Sequence, residues 1–440
     1  MDSRLKNHHS MRCSSMAIPT LPSDIITDIL SRLPSKTLIR FKSVSKQWYS
    51  LINSPNFINL HLTQTLISQN SPNLIISQFS LSSVTISDEN NPNFHLTELD
   101  HPLKHFCKTH NFSSYDPEHM PQILGSINGV VCISMYDKSS VVLYNPSTKT
   151  HRFIPPFTPS PNTNPYSEIN PEGTTVNVVV FGFGFDSVNG DYKLLRMIDT
   201  VMKSVLVYGE TSVYSLRNDS WKCVHDQTMM DEFLFQNSMG VFVNDVLHFI
   251  GVDGNLKPKV KCFDIRTETF LFMDLPNFDE RFITHDIQEL DGCLSVIVNC
   301  KKIDRSIAGH FALARVDLWV MKEYGNKESW FRLFSICDPA KLEVLNQVRP
   351  VVYSRDKERV LLELDSMSFG WYSWGSKSFE RSTVHGLSSS PPPCETWTFV
   401  DSLVSIEMGK DRSKPKVVPK KNKNKIDRDD FLSSGFKLRL

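Results

Sequence analysis

Residues 21–52 read LPSDIITDILSRLPSKTLIRFKSVSKQWYSLI, and their hydrophobic spacing divides the chain. Ile25, Ile29 and Leu33 recur every four residues with Ile26 and Leu30 beside them, while Asp24, Thr27, Asp28 and Ser31 take the other side. That period predicts one amphipathic helix with a wide apolar face. Pro34 stops it, and Ser35 is placed to cap a second short helix carrying Leu38, Ile39 and Phe41. Val44, Trp48, Leu51 and Ile52 give a third helical stripe, and Asn53-Ser54-Pro55 is expected to end the unit. A helical unit this small seldom sustains its own core, so the rest of the chain or a partner must cover part of its apolar face.

Beyond residue 73 the period changes to that of strands. Five segments share one form, an apolar strand, a polar turn and a second strand with an aromatic: 141–155, 212–224, 261–276, 317–334 and 368–382. Their second-strand aromatics Phe153, Trp221, Phe270, Trp330 and Phe379 are 68, 49, 60 and 49 residues apart. Recurrence at that scale suits four-stranded propeller blades. Expected inner strands lie between them in GSINGVVCIS (125–134), GVFVNDVLHFIG (240–251) and QELDGCLSVIV (288–298), punctuated by Asn-Gly, Asn-Asp or Asp-Gly. The expected fold class is mainly β with a small N-terminal α unit, the β part being a propeller of about six to eight blades. A single two-sheet sandwich would be too small for some 330 residues.

The chain has 440 residues, 48 basic and 48 acidic, and no formal net charge. That balance argues against a polycation working on nucleic acid or anionic lipid. The longest apolar stretch, 176–185, falls far short of the ~20 residues of a membrane helix. Residues 1–20 have no apolar core of secretory type. Nine cysteines without a Cys-x-x-Cys pair point to a reducing compartment, cytoplasm or nucleus. Cys132, Cys223, Cys262 and Cys293 sit in apolar runs as expected small buried hydrophobes. The expected boundaries are 1–19 as a disordered N-terminus, 20–53 as the helical unit, 54–72 as a linker, 73–405 as the propeller and 406–440 as a basic disordered tail.

His101, His105, Cys107 and His110 have the residue types of a metal site, but Pro102 and the lack of a second ligand pair favour a solvated loop. Gly182 and Gly184 in GFGFDS begin like a dinucleotide fingerprint, yet Ser187 takes the third glycine position and no helix follows. A strand hairpin accounts better for both glycines. No cofactor or metal is expected. The proline-rich stretches 155–175 and 387–394 read as loops, the first either a target contact or an inert surface excursion. The lysines of KPKVVPKKNKNK allow either an import signal or a solvated terminus.

Residues 21–52 closely resemble the F-box, the helical motif that docks an adaptor onto the Skp-type linker subunit of SCF ubiquitin ligases, especially in its plant form. The matching positions are Leu21-Pro22, Asp24-Ile25, Ile29 to Pro34, Lys36, Leu38, Arg40 to Lys42, Val44 to Lys46, Trp48 and Leu51-Ile52. GSINGVVCIS, VVLYNPSTKTHRFIP and GFGFDSVNGDYKLLRM resemble the F-box-associated, kelch-related region of many plant F-box proteins. The resemblance implies a non-catalytic substrate adaptor, bound through the linker to cullin and RING subunits, whose propeller holds an unknown protein target for ubiquitination and degradation. The implied linker contacts are Leu21, Pro22, Ile25, Ile29, Leu33, Pro34, Leu38, Val44 and Trp48. The bland reading packs several of them, Trp48 above all, inside the F-box. Two rival functions are a scaffold that assembles complexes without directing degradation and a kelch-type propeller enzyme, which would need His and Tyr metal ligands at the axis.

Overall fold

The computed structural model describes residues 21–68, 73–86, 93–104, 120–135, 140–157, 175–202, 205–226, 233–278, 283–303, 311–337, 346–387 and 394–406. Four helices come first: α1 (Ser23–Ser31), α2 (Ser35–Phe41), α3 (Lys46–Ile52) and α4 (Pro55–Ser68). Pro22 and Pro34 sit immediately before α1 and α2 with φ of −53° and −58°, and their carbonyls accept the first helical bonds. Ser45 caps α3 through a 3.1 Å bond from the Trp48 amide.

Three expectations change here. Leu33 lies past the end of α1. Ser35 is the first residue of α2, with a buried, unpartnered Oγ, because the cap comes from elsewhere in the chain. Pro55 begins a helix, as its missing N–H allows at a first turn, so 55–68 of the stretch read as a linker is helix α4.

The strands form six blades around an axis. Blade 2 is β5 (Pro121–Ile127), β6 (Val130–Met135), β7 (Val141–Asn145) and β8 (Thr150–Ile154). Blade 3 is β9 (Thr175–Asp186), β10 (Asp191–Met202), β11 (Val205–Ser215) and β12 (Ser220–Cys223). Blade 4 is β14 (Met239–Val243), β15 (Val246–Asp253), β16 (Pro258–Asp264) and β17 (Thr269–Met273), with β13 (Phe233–Phe235) added beside β15. Blade 5 is β18 (Ile283–Leu290), β19 (Cys293–Ile303), β20 (Phe311–Met321) and β21 (Trp330–Ile336). Blade 6 is β22 (Val348–Tyr353), β23 (Arg359–Leu364), β24 (Ser368–Ser373) and β25 (Ser378–His385), and β3 (Asn93–His95) pairs in parallel with its outer edge.

Blade 1 closes the ring from both ends of the chain. Its innermost strand is β26 (Glu395–Phe399), paired antiparallel with β1 (Asn73–Ser77), followed outward by β2 (Leu81–Thr85) and β4 (Thr97–Glu98). The five aromatics noted above all fall on the fourth strands of blades 2 to 6. Blade 1, split between the termini, lacks that hairpin.

Strands buried on both sides read as continuous apolar runs, as Val130–Met135 does. Val130 and Cys132 face blade 3 while Val131 and Ile133 face blade 1. Six apolar clusters fill the six seams between neighbouring blades, so the ring is packed all round. Turn chemistry sets the registers. Asn128-Gly129, Asn244-Asp245 and Asp291-Gly292 all have positive φ at both residues, the two-residue hairpin geometry matching strand twist. At two third-to-fourth-strand turns, Asn145 and Asp264 accept bonds from backbone amides two and three residues on, and Lys149 and Glu268 complete the turn at φ 60° and 55°. Cys132 and Cys262 are buried as expected, whereas Cys223 on an outer strand is exposed.

Antiparallel alternation gives the ring two distinct faces. The turn after each blade's first strand and the turn after its third open on one face, called near. The turn after the second strand and the passage to the next blade fall on the other, called far. β1 begins and β26 ends at the near face, the side from which α4 leads in.

Candidate docking site

The helical unit has its own core, in which Leu30, Leu38, Ile52 and Phe57 are at most 2% exposed. The fifth buried member is Leu403, from the segment that follows β26. That segment, 400–406, forms a strap between the helices and the near face of blade 2. Asp401 Oδ2 accepts the Ser35 amide at 3.0 Å, an external carboxylate cap where α2 needs an acceptor. Asp401 Oδ1 accepts the Ser147 hydroxyl. Asn145 Nδ2 donates to the carbonyls of Ser402 at 3.2 Å and Val404 at 2.8 Å. Ile406 then enters the seam between blades 2 and 3. His61 of α4 ties the loop after α1 down, its Nε2 lying 2.9 Å from the Leu33 carbonyl.

With that packing in place, Leu21, Ile25, Ile29 and Val44 remain 59%, 46%, 49% and 61% exposed. Ile25 and Ile29, one turn apart, share the outer face of α1. Pro22 and Pro34 are exposed as well. Leu33 is half-buried against the helical core, and Trp48 is half-buried with its ring 5.4 Å from Phe41. Leu38 is a correction: at 0% exposure it belongs to the internal core, because α2 turns that side toward Leu30 and Leu403. Tyr49, 58% exposed, was missed, since its place beside Trp48 hides it from an apolar count. Asp401 and Leu403 were missed too, and the apolar residues Leu403, Val404 and Ile406 past the last strand were the available signal.

Among the described residues no cluster of three His, Cys, Asp or Glu side chains could hold a metal ion. His101 is buried, while residues 105–110 lie outside the described residues, as do 158–174 of the proline-rich stretch and the lysine-rich tail. Gly182 and Gly184 lie in β9, where a Cβ would meet Leu247 and Ile265 of blade 4, so both serve close blade packing.

A small helical unit with exposed apolar side chains, strapped to a six-blade propeller, defines an F-box chain with a propeller module. Profile comparison agrees: the F-box domain matches residues 18–60 and the F-box associated beta propeller domain residues 75–402. The chain therefore belongs to the F-box proteins with an F-box-associated propeller. It is 32% identical to the F-box protein CPR1 of Arabidopsis thaliana over 96% of this chain and 100% of that one. It is 29% identical to the F-box protein At4g22390 of Arabidopsis thaliana, over 95% and 99%. Among solved structures, TolB from Acinetobacter baumannii overlaps with a TM-score of 0.36 at 12% identity, covering 79% of this chain and 73% of that one.

Proposed function

We propose that this chain is the substrate-recognition subunit of an SCF ubiquitin ligase, its F-box docking a Skp-type linker and its propeller holding a protein for ubiquitination and degradation. The carrying observation is the exposure of Leu21, Ile25, Ile29 and Val44, with Tyr49 beside them, although Leu30, Leu38, Ile52 and Phe57 of the same small unit are buried. A protein seldom leaves several large apolar side chains of one small unit in water unless another surface receives them. The adaptor's contribution is placement. A target held on the propeller meets the ubiquitin-charged carrier at high effective concentration, so this chain needs no reacting group of its own. The strap supports that reading by fixing the docking helices to the propeller. The seven described cysteines, all free, suit the cytoplasm or nucleus.

The test is co-expression of Ile25→Asp and Ile29→Asp with a Skp-type linker. Both positions are exposed, so stability should stay within about 0.5 kcal/mol of wild type. Linker capture should fall by at least about thirtyfold if either is an interface anchor. Undiminished capture by the double variant would remove the docking assignment. Accelerated turnover of a bound partner separates the ligase reading from a scaffold that assembles complexes without degradation.

A further inference from the structure

The first strands of the ring carry two carboxylates that only neutral donors meet among the described residues. The first strands of the blades all start at the far face, and Gln122, Arg349 and Glu395 sit within their first two residues. Asn237 lies two residues before β14, and Asp286 lies midway along β18. Arg349 is satisfied inside the chain: one guanidinium nitrogen donates to Glu363 at 2.6 Å and to the Thr396 carbonyl at 2.8 Å. Asp286 and Glu395 have neutral donors instead. Asp286 Oδ1 accepts Asn237 Nδ2 at 2.7 Å and the Ile287 amide at 2.9 Å, and its Oδ2 accepts Gln288 Nε2 at 3.4 Å. Glu395 accepts the Ile123 amide at 3.2 Å and Gln122 Nε2 at 3.3 Å.

Neither carboxylate meets a cation at ion-pair distance among the described residues. Burial pushes the pKa of both upward, and Arg349 opposes that shift from a distance. An independent mark lies in the same place. Gln122 is 6% exposed, and its Oε1, the other end of the amide that meets Glu395, has no hydrogen-bond partner. A buried acceptor beside Glu395, with Arg349 near enough to act on both Glu395 and Asp286, marks a site awaiting donors. On the near face the strap holds the helices against blade 2.

We propose that the far face is the target-binding surface and that the channel mouth around Asp286, Glu395 and Gln122 receives a basic side chain, lysine or arginine, of an extended segment of the target. An ammonium or guanidinium group supplies both missing elements, positive charge for the carboxylates and N–H donors for Gln122 Oε1. This assignment rests on the adaptor reading only for the word target; the chemistry of the mouth stands without it.

The experiment uses the full chain and fluorescein-labelled nine-residue peptides with lysine, arginine, norleucine or glutamate at the centre, read by fluorescence anisotropy. Lysine- or arginine-centred peptides should bind more tightly than the norleucine and glutamate series. Asp286→Asn and Glu395→Gln should each weaken them at least tenfold. Gln122→Leu is the third variant, kept in case one carboxamide fails to fold, and should weaken them severalfold. The proposal is overturned if no basic peptide discriminates wild type from every folded variant, if glutamate-centred peptides bind best, or if Mg²⁺ or Ca²⁺ alone saturates the mouth in calorimetry. Linker capture measured on the same preparations keeps the two readings apart. Basic-peptide selectivity without linker capture sinks the adaptor role alone, and linker capture without selectivity sinks this site alone.

Discussion

Leu403→Ala should unfold the helices while leaving the propeller standing. Leu403 is 3% exposed and lies among Leu30, Leu38, Ile52 and Phe57, so truncation leaves a cavity costing about 2–5 kcal/mol. A core as small as that of the F-box seldom supplies more than about 3–5 kcal/mol, so the loss consumes most of it. The propeller keeps six filled seams, none of which contains Leu403. Hydrogen exchange reads both parts in one sample. At a factor of ten per 1.4 kcal/mol, protection of amides such as Leu38, bonded to the Pro34 carbonyl, should fall by roughly thirtyfold to several thousandfold. Amides of β6 and β19 should change little. If α1 to α3 stay within threefold of wild type, the strap is not part of the F-box core; if all strands lose protection equally, the two parts unfold together and the locality of the effect is refuted.

Gly129→Ala attacks the same strap from the propeller side. Gly129 has φ +79°, and a Cβ there would lie 2.6 Å from the Val400 carbonyl and 2.2 Å from Ser402 Oγ, so a loss of about 1–3 kcal/mol is expected in a denaturant melt. An unchanged midpoint would show that the strap moves aside freely. His248 predicts a pH dependence. Between the Val241 carbonyl and the Tyr324 hydroxyl it is buried, and burial pulls its pKa down to about 4. The unfolded chain, with an ordinary histidine near 6.5, therefore binds the proton more readily. Stability is full above that value and drains as pH falls toward 4, by roughly 3 kcal/mol for this residue. Thermal melts from pH 7.5 to 4.5 should fall less steeply for His248→Gln than for wild type, and parallel declines would contradict the assignment.

What the sequence made legible follows from how locally each feature is determined. The hairpins of blades 2 to 6 announce themselves because strand, turn and strand are contiguous and turns such as Asn128-Gly129 have few alternative conformations. Blade 1 does not, because β26 and β1 are separated by almost the whole chain, and no periodicity reports a pairing such as Ile75 with Trp397. The wide apolar face of α1 is legible in the spacing, yet its division is not. Spacing places Leu38 and Ile29 in equivalent stripes, and only the return of Leu403 from beyond the ring decides that the first is core and the second surface. The same long-range closure explains the cap of α2. Ser35 satisfies the local rule for a capping residue, but Asp401 arrives with a charged acceptor and takes the Ser35 amide itself. The strap thus couples three things that sequence order keeps apart: the last strand of the ring, the core of the F-box and the start of α2. A chain cut after Phe399 would still contain every motif by which an F-box is recognised, yet lose the residue that completes its core; the apolar surface offered to a partner is therefore a property of the closed ring as much as of residues 21–52.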